Sequence, residues 1–83
     1  MRLRYFAWLR TRIGTSAEEL PLPAGVATVA GVLDWLAGRG AGYAAALDRR
    51  DVVRVAVNQE FAPLDHPVSD ADEVALFPPV TGG

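Results

Sequence analysis

The chain has 83 residues, 51% of them hydrophobic and 22% charged, with a net charge of −2 and no cysteine. This composition describes one small globular domain and excludes a disordered segment, a bilayer-spanning chain and a second domain. It also excludes disulfides, thiolate zinc sites, iron–sulfur ligation and a cysteine nucleophile, and the acidic balance argues against nucleic acid as the main partner.

All eight basic residues are arginine. With no lysine, the chain offers no side-chain amine for an isopeptide bond to itself. Arg2, Arg4, Arg10 and Arg12 interrupt the apolar residues at the start, so no signal-peptide layout is present and a cytoplasmic protein, away from the membrane, is expected. A domain of this size has a stability on the order of 4 to 12 kcal/mol and depends on a well-packed core.

Alternation predicts a first strand over Met1 to Leu9, with Leu3, Tyr5 and Ala7 on the core face and Arg2, Arg4, Phe6 and Trp8 on the other. Phe6 then stands on an arginine-bearing outer face, either as an isolated exposed apolar residue or as part of a docking surface. Arg10 to Ile13 reads as a helical turn closed by Gly14, and Glu19 to Leu22 as a returning strand that Pro23 and Gly25 break. Thr28 is a suitable N-cap for a helix whose apolar Val29, Val32, Leu33 and Leu36 fall at i, i+3, i+4 and i+7. Trp35 lies beside that stripe as a packing residue. Gly38, Gly40 and Gly42 end this helix and begin a shorter one through Ala44 to Leu47; following a helix, they form no dinucleotide fingerprint.

After the charged turn Asp48 to Asp51, Val52 to Val57 is β-branched enough for a buried strand with Val53, Val55 and Val57 on one face. Asn58-Gln59 turns the chain, and Phe61 sits on a short edge segment. A loop through Asp65-His66-Pro67 leads to a last strand, Glu73 to Phe77, in which Val74 and Leu76 share a face. Asp70, Asp72 and Glu73 lack the spacing of a calcium loop and read as a solvated turn, and His66, with no nucleophile nearby in sequence, as a turn residue with local hydrogen bonds.

The order of elements describes an α+β domain, a mixed sheet wrapped on one main helix, and fits a β-grasp arrangement with the first and last strands as parallel neighbours at the centre. Residues 1–79 are expected to form the domain and 80–83 a flexible tail. Phe77 ends the last strand in Pro78-Pro79, which cannot extend a helix or sit in a central ladder and which hold the chain extended. Val80 to Gly83 then reaches roughly 13 Å, at about 3.3 Å per residue. Gly82 and Gly83, without Cβ atoms, fit a slot too narrow for other residues and carry a terminal carboxylate to its end. That group is a poor electrophile unless a partner activates it as an acyl-adenylate, after which the chain can carry a group covalently. An inert, frayed end is the plain alternative.

Val57-Asn58-Gln59, Asp65-His66-Pro67, Asp72-Glu73-Val74-Ala75 and Phe77-Pro78-Pro79-Val80-Thr81-Gly82-Gly83, with Phe6-Ala7 and Ile13-Gly14 near the start, resemble the small, sulfur-carrying subunit of molybdopterin synthase, the MoaD type. The likeness is dense from Ala56 onward. Ala71 and Leu76 depart from the pattern, standing where a glycine and an aromatic are usual. The resemblance implies the ubiquitin-like β-grasp fold and three partners. An adenylating enzyme related to ubiquitin activators would use ATP and magnesium to adenylate Gly83; a persulfide donor would replace AMP by sulfur, leaving a thiocarboxylate; the large subunit would take the tail into its own catalytic pocket, within a heterotetramer. There, sulfur from each of two carriers would convert cyclic pyranopterin monophosphate into the molybdopterin dithiolene. No cofactor is expected to stay bound to the chain. Gly82 and Gly83 would form the reactive terminus, and Phe6, Arg10, Phe61, Phe77, Pro78, Pro79, Val80 and Thr81 the partner-binding residues, with Arg4 and Arg54 on the rim. A carrier for thiamine synthesis or transfer RNA thiolation needs the same fold and tail, a plain interaction module needs only the fold, and ubiquitin-like conjugation needs a free Gly-Gly end.

Overall fold

The computed structural model describes residues 1–79. Their strands are β1 (Arg2–Tyr5), β2 (Ala17–Glu19), β3 (Arg54–Val57), β4 (Glu60–Phe61) and β5 (Glu73–Phe77); their helices are α1 (Trp8–Ile13), α2 (Val29–Ala37) and α3 (Ala41–Ala46). The strands form one mixed sheet in the order β2-β1-β5-β3-β4, in which β1 and β5 are parallel and every other pairing is antiparallel. Two central strands of this kind need a long connection between them, and the helices provide it. Leu3 and Tyr5 of β1, Val55 and Val57 of β3, and Val74 and Leu76 of β5 pack against Val29, Val32, Leu33 and Leu36 of α2, all of them buried. Alternation in the strands and the 3.6-residue stripe of α2 thus meet in a single core.

The Thr28 cap holds as expected: its Oγ1 accepts the Gly31 N–H at 3.2 Å. The other free amides at this helix start are met by the loop before β5, since Val29 N–H donates to the His66 carbonyl and Ala30 N–H to that of Leu64, at 3.0 and 2.8 Å. His66 is therefore a turn residue that acts through its backbone. Asp70 and Asp72 also serve turns. Asp70 accepts the Leu22 amide at 2.7 Å and lies 3.4 Å from the N-terminal ammonium. Asp72 accepts the Asn58 amide at 2.9 Å and the Ser69 N–H at 2.7 Å. These two donors, Asn58 first, hold the Asp72 carboxyl below the usual carboxylate range. Asn58 and Gln59 turn the chain with φ of 51° and 70°.

The first expected strand is cut short. Ala7 takes φ 55° rather than continuing along the core face, and α1 begins at Trp8. The helix puts Leu9 fully into the core and lays Trp8 against it, which buries more apolar surface than an overhanging strand end would. Gly14 closes this helix with φ 97°, as its position suggested. The returning strand lies earlier than expected, at Ala17–Glu19, with Leu20 N–H still reaching the Met1 carbonyl at 3.0 Å. Pro21, which has no N–H, follows at once. Val52 belongs to a 3-10 turn, Arg50–Val52, so β3 starts at Arg54; the shorter helix spans Ala41–Ala46 rather than Ala44 to Leu47.

Gly42 has a role that its neighbours in sequence hide. A Cβ at this position would lie 2.5 Å from the Arg12 carbonyl oxygen of α1, because the backbones of α1 and α3 touch there. Gly42→Ala is expected to destabilise the fold by about 1 to 3 kcal/mol, the cost of forcing packed elements apart, despite a gain in helix propensity of under about 1 kcal/mol. Urea unfolding of the variant checks this, and an unchanged midpoint would show that α1 and α3 part without cost.

Candidate docking face and tail exit

The outer face of the sheet is built by the residues that alternate with the core set. Across β1, β5 and β3, Arg4 stands beside Ala75 and Ala75 beside Ala56, and Ala56 pairs in turn with Phe61 of β4. One row further along, Phe77 faces Arg54. Because the two alanines carry no bulk, the Phe61 ring leans over to Phe77, with centroids 5.6 Å apart and planes tilted by 58°. Phe61 is 75% exposed and Phe6 41%.

Phe6 extends the parallel β1–β5 ladder by one bond, its N–H donating to the Leu76 carbonyl at 3.1 Å. The Arg4 guanidinium covers its ring, 5.2 Å from the centroid. The direct aromatic contact is thus between Phe61 and Phe77, with Phe6 one strand away under Arg4. Arg54 donates to the Asp51 carbonyl at 3.0 Å. Arg10 is exposed in the last turn of α1, on a different element, and no described contact ties it to the phenylalanines. Pro78 and Pro79 are half-buried directly after Phe77, so β5 delivers the chain to this aromatic and arginine-bearing end of the sheet. Val80, Thr81, Gly82 and Gly83, expected to form the tail, lie outside the described residues.

A second cluster, which the sequence reading did not single out, closes the opposite edge. Glu18 pairs with Leu3 across β1 and β2 and so points to the inner side. Its Oε2 accepts the Tyr5 hydroxyl at 2.8 Å and the Tyr43 hydroxyl at 2.6 Å, while Arg39 reaches both carboxylate oxygens at 3.3 Å. Burial alone would push this carboxyl up, yet the hydrogen bonds from Tyr43, Tyr5 and Arg39 outweigh it and hold Glu18 below the usual carboxylate range. Burial, with Glu18 beside them, pushes both phenols up. Arg39 also covers the rings of Trp35 and Tyr43, at 5.5 and 4.9 Å. No side chain of the cluster is a poised nucleophile, and its parts join β1, β2 and α3. It is a structural clasp.

The described residues thus bring together an exposed aromatic and arginine-bearing face and, at the opposite edge, a hydrogen-bonded clasp. No three of their His, Asp or Glu side chains are grouped to hold a metal ion. No helix among them is long and apolar enough to cross a membrane.

Comparison with known proteins agrees with this architecture. The ThiS family model matches residues 3–83. The chain is 40% identical over 83 residues to the molybdopterin synthase sulfur carrier subunit of Escherichia coli, covering 100% of this chain and 99% of that protein. The crystal structure of small archaeal modifier protein 1 from Haloferax volcanii superposes with a TM-score of 0.74 at 34% identity, covering 96% of this chain and 97% of that one. A chain in the BexX/CysO complex of Amycolatopsis orientalis does so with a TM-score of 0.69 at 28% identity, covering 99% and 98%. The β-grasp fold expected from the order of elements is the fold these neighbours share.

Proposed function

The chain belongs to the ThiS family, and from that premise we propose that it is the sulfur carrier subunit of a molybdopterin synthase, working in the cytoplasm. The observation that carries this reading is the 40% identity to a sulfur carrier subunit over the whole of both chains. The geometry supports it. A central strand leads through Pro78-Pro79 from a face of Phe61, Phe77, Arg4 and Arg54, a composition suited to protein docking, and the sequence then ends in Gly82-Gly83, which carry no Cβ atoms.

In the proposed cycle an adenylating enzyme converts the Gly83 carboxylate and ATP, with magnesium, into an acyl-adenylate and pyrophosphate. The outer sulfur of a persulfide donor attacks the adenylate carbonyl and displaces AMP, giving an acyl persulfide. A second thiol then cleaves its S–S bond, forming a disulfide with the donor cysteine and releasing the terminal thiocarboxylate. The carrier then docks on the large subunit, which holds the pterin and performs the chemistry on it. This chain supplies the sulfur and the docking face.

The deciding experiment is an intact-mass measurement after co-expression with the adenylating enzyme and a sulfur donor. The expected result is a mass gain equal to exchange of one oxygen for sulfur, followed by molybdopterin formation when the large subunit and its pterin substrate are added. An unchanged mass would overturn the reading. The likeness to an archaeal modifier protein favours a second use of the same terminus, transfer of the Gly83 acyl group to an amine on another protein; a Gly83 isopeptide in cell extracts is its signature.

Phe77 is the anchor of the proposed face. Phe77→Ala is expected to weaken binding to the large subunit by about 1 to 3 kcal/mol, within the range for a central aromatic anchor, while the fold persists because Val74 and Leu76 hold β5 in the core. Titration calorimetry checks the affinity, and a wild-type value would remove Phe77 from the interface.

A further inference from the structure

β4 covers only part of β3. It pairs with Ala56 and Val57, and Ala62 N–H reaches the Val55 carbonyl at 3.0 Å, which leaves the first half of β3 uncovered on that side. A groove of about 480 Å³ opens there, between β3, the 3-10 turn and the segment after β4, with Val53 and Val55 among its lining and Phe61 and Leu64 on its walls. Leu64 is 55% exposed, so two of the large exposed hydrophobic side chains among the described residues line this one groove. Phe61 is shared: one side of the hairpin end meets Phe77, and the groove continues from it.

Charge selects the occupant. Of the charged residues lining the groove, Arg50 is paired with Asp34, and Asp51 with Arg49 at 3.2 Å. Arg54 donates only to a backbone carbonyl and has no carboxylate partner among the described residues. We propose that the groove receives an apolar side chain from an acidic segment of the large subunit, whose carboxylate pairs with Arg54. The docking footprint then runs past the sheet face and around the β4 edge to Leu64. This rests on the reading of the Phe61–Phe77 face as the docking surface and adds to it a second anchor and the sign of the partner's charge. An apolar pocket with a charged rim is the arrangement in which one inserted side chain supplies affinity and the rim charge supplies association rate.

The test measures association rate and affinity for the cognate large subunit with the full chain and with Leu64→Ser, Arg54→Glu and Phe77→Ala, at low and high salt. Leu64→Ser is expected to weaken binding about fivefold or more, with the melting temperature unchanged. Arg54→Glu is expected to slow association by about tenfold at low salt, the gap narrowing as salt rises. Wild-type behaviour of both, with Phe77→Ala impaired, overturns the groove and leaves the face. Loss in the Leu64 and Arg54 variants, with Phe77→Ala unimpaired, supports the groove and overturns the ring pair as anchor. Wild-type behaviour of all three overturns both. Faster association of Arg54→Glu overturns the acidic occupant.

Discussion

Removing Gly83 is expected to abolish sulfur loading while the domain stays folded. The proposed reaction takes place at one carbonyl carbon, which the partner's pocket must place against the α-phosphate of ATP. Without Gly83 the new terminal carboxylate still follows a glycine pattern, but it stops about 3.3 Å short. A displacement of about 1 Å from a productive geometry already costs roughly 100-fold in rate, so the shortened chain falls below detection in a pyrophosphate-release assay. Appending one residue acts differently. It turns the Gly83 carboxylate into an amide, which cannot be adenylated at all. Intact-mass spectra of the two variants after co-expression should both lack the sulfur-bearing species. Loading of either would place the chemistry away from Gly83.

Glu18→Ala is the substitution with the largest expected effect on stability. It takes away the only described carboxylate acceptor of two phenols and a guanidinium, and Tyr5 is 1% exposed. A buried hydroxyl left without a partner costs about 1 to 3 kcal/mol, and a hydrogen bond to a charged group contributes about 1.5 to 3. The expected loss is about 3 kcal/mol, against a total on the order of 4 to 12 kcal/mol for a chain of this length. At roughly 4 to 8 °C per kcal/mol, the melting temperature should fall by more than about 10 °C. Since Glu18 is held below its ordinary range when folded, its contribution is complete above the unfolded carboxylate pKa of about 4.3 and is lost as pH falls through the lower folded value. The gap between wild type and variant should therefore be constant from neutral pH down to about pH 5 and close below that. Thermal unfolding across that range checks both the size and the pH dependence. A gap that persists at low pH would mean that lost packing, not the ionised carboxylate, accounts for the effect.

Elements whose signal repeats along the chain were the legible ones. In α2 the four apolar residues, the Thr28 cap and the following glycine agree, and β5 and the valines of β3 alternate cleanly with their burial. The start of α1 was not legible, because it depends on Ala7 adopting a positive φ, which nothing about alanine announces. The position of β2 turns on Glu18 facing inward, and a lone glutamate between Ala17 and Glu19 reads as solvent-exposed until Tyr5, Tyr43 and Arg39 are seen around it. Gly42 looked like part of a helix break, since only the position of α1 shows what its missing Cβ would strike. On the outer face, Phe6 and Phe77 follow from alternation and Phe61 from its edge segment and the family resemblance, but the pairing of Phe61 with Phe77 needed the register through Ala56. Leu64 carried no periodic signal at all, lying in the loop after β4.

The position of β5 has a mechanical consequence. A pull on the chain beyond Phe77 acts along the axis of a strand that is bonded to β1 on one side and to β3 on the other. Such a force loads both ladders in shear, where many bonds must fail together, rather than peeling them one at a time as it would at an edge. A load applied at that end of the domain is therefore borne by two ladders at once, and the sheet resists unravelling from it.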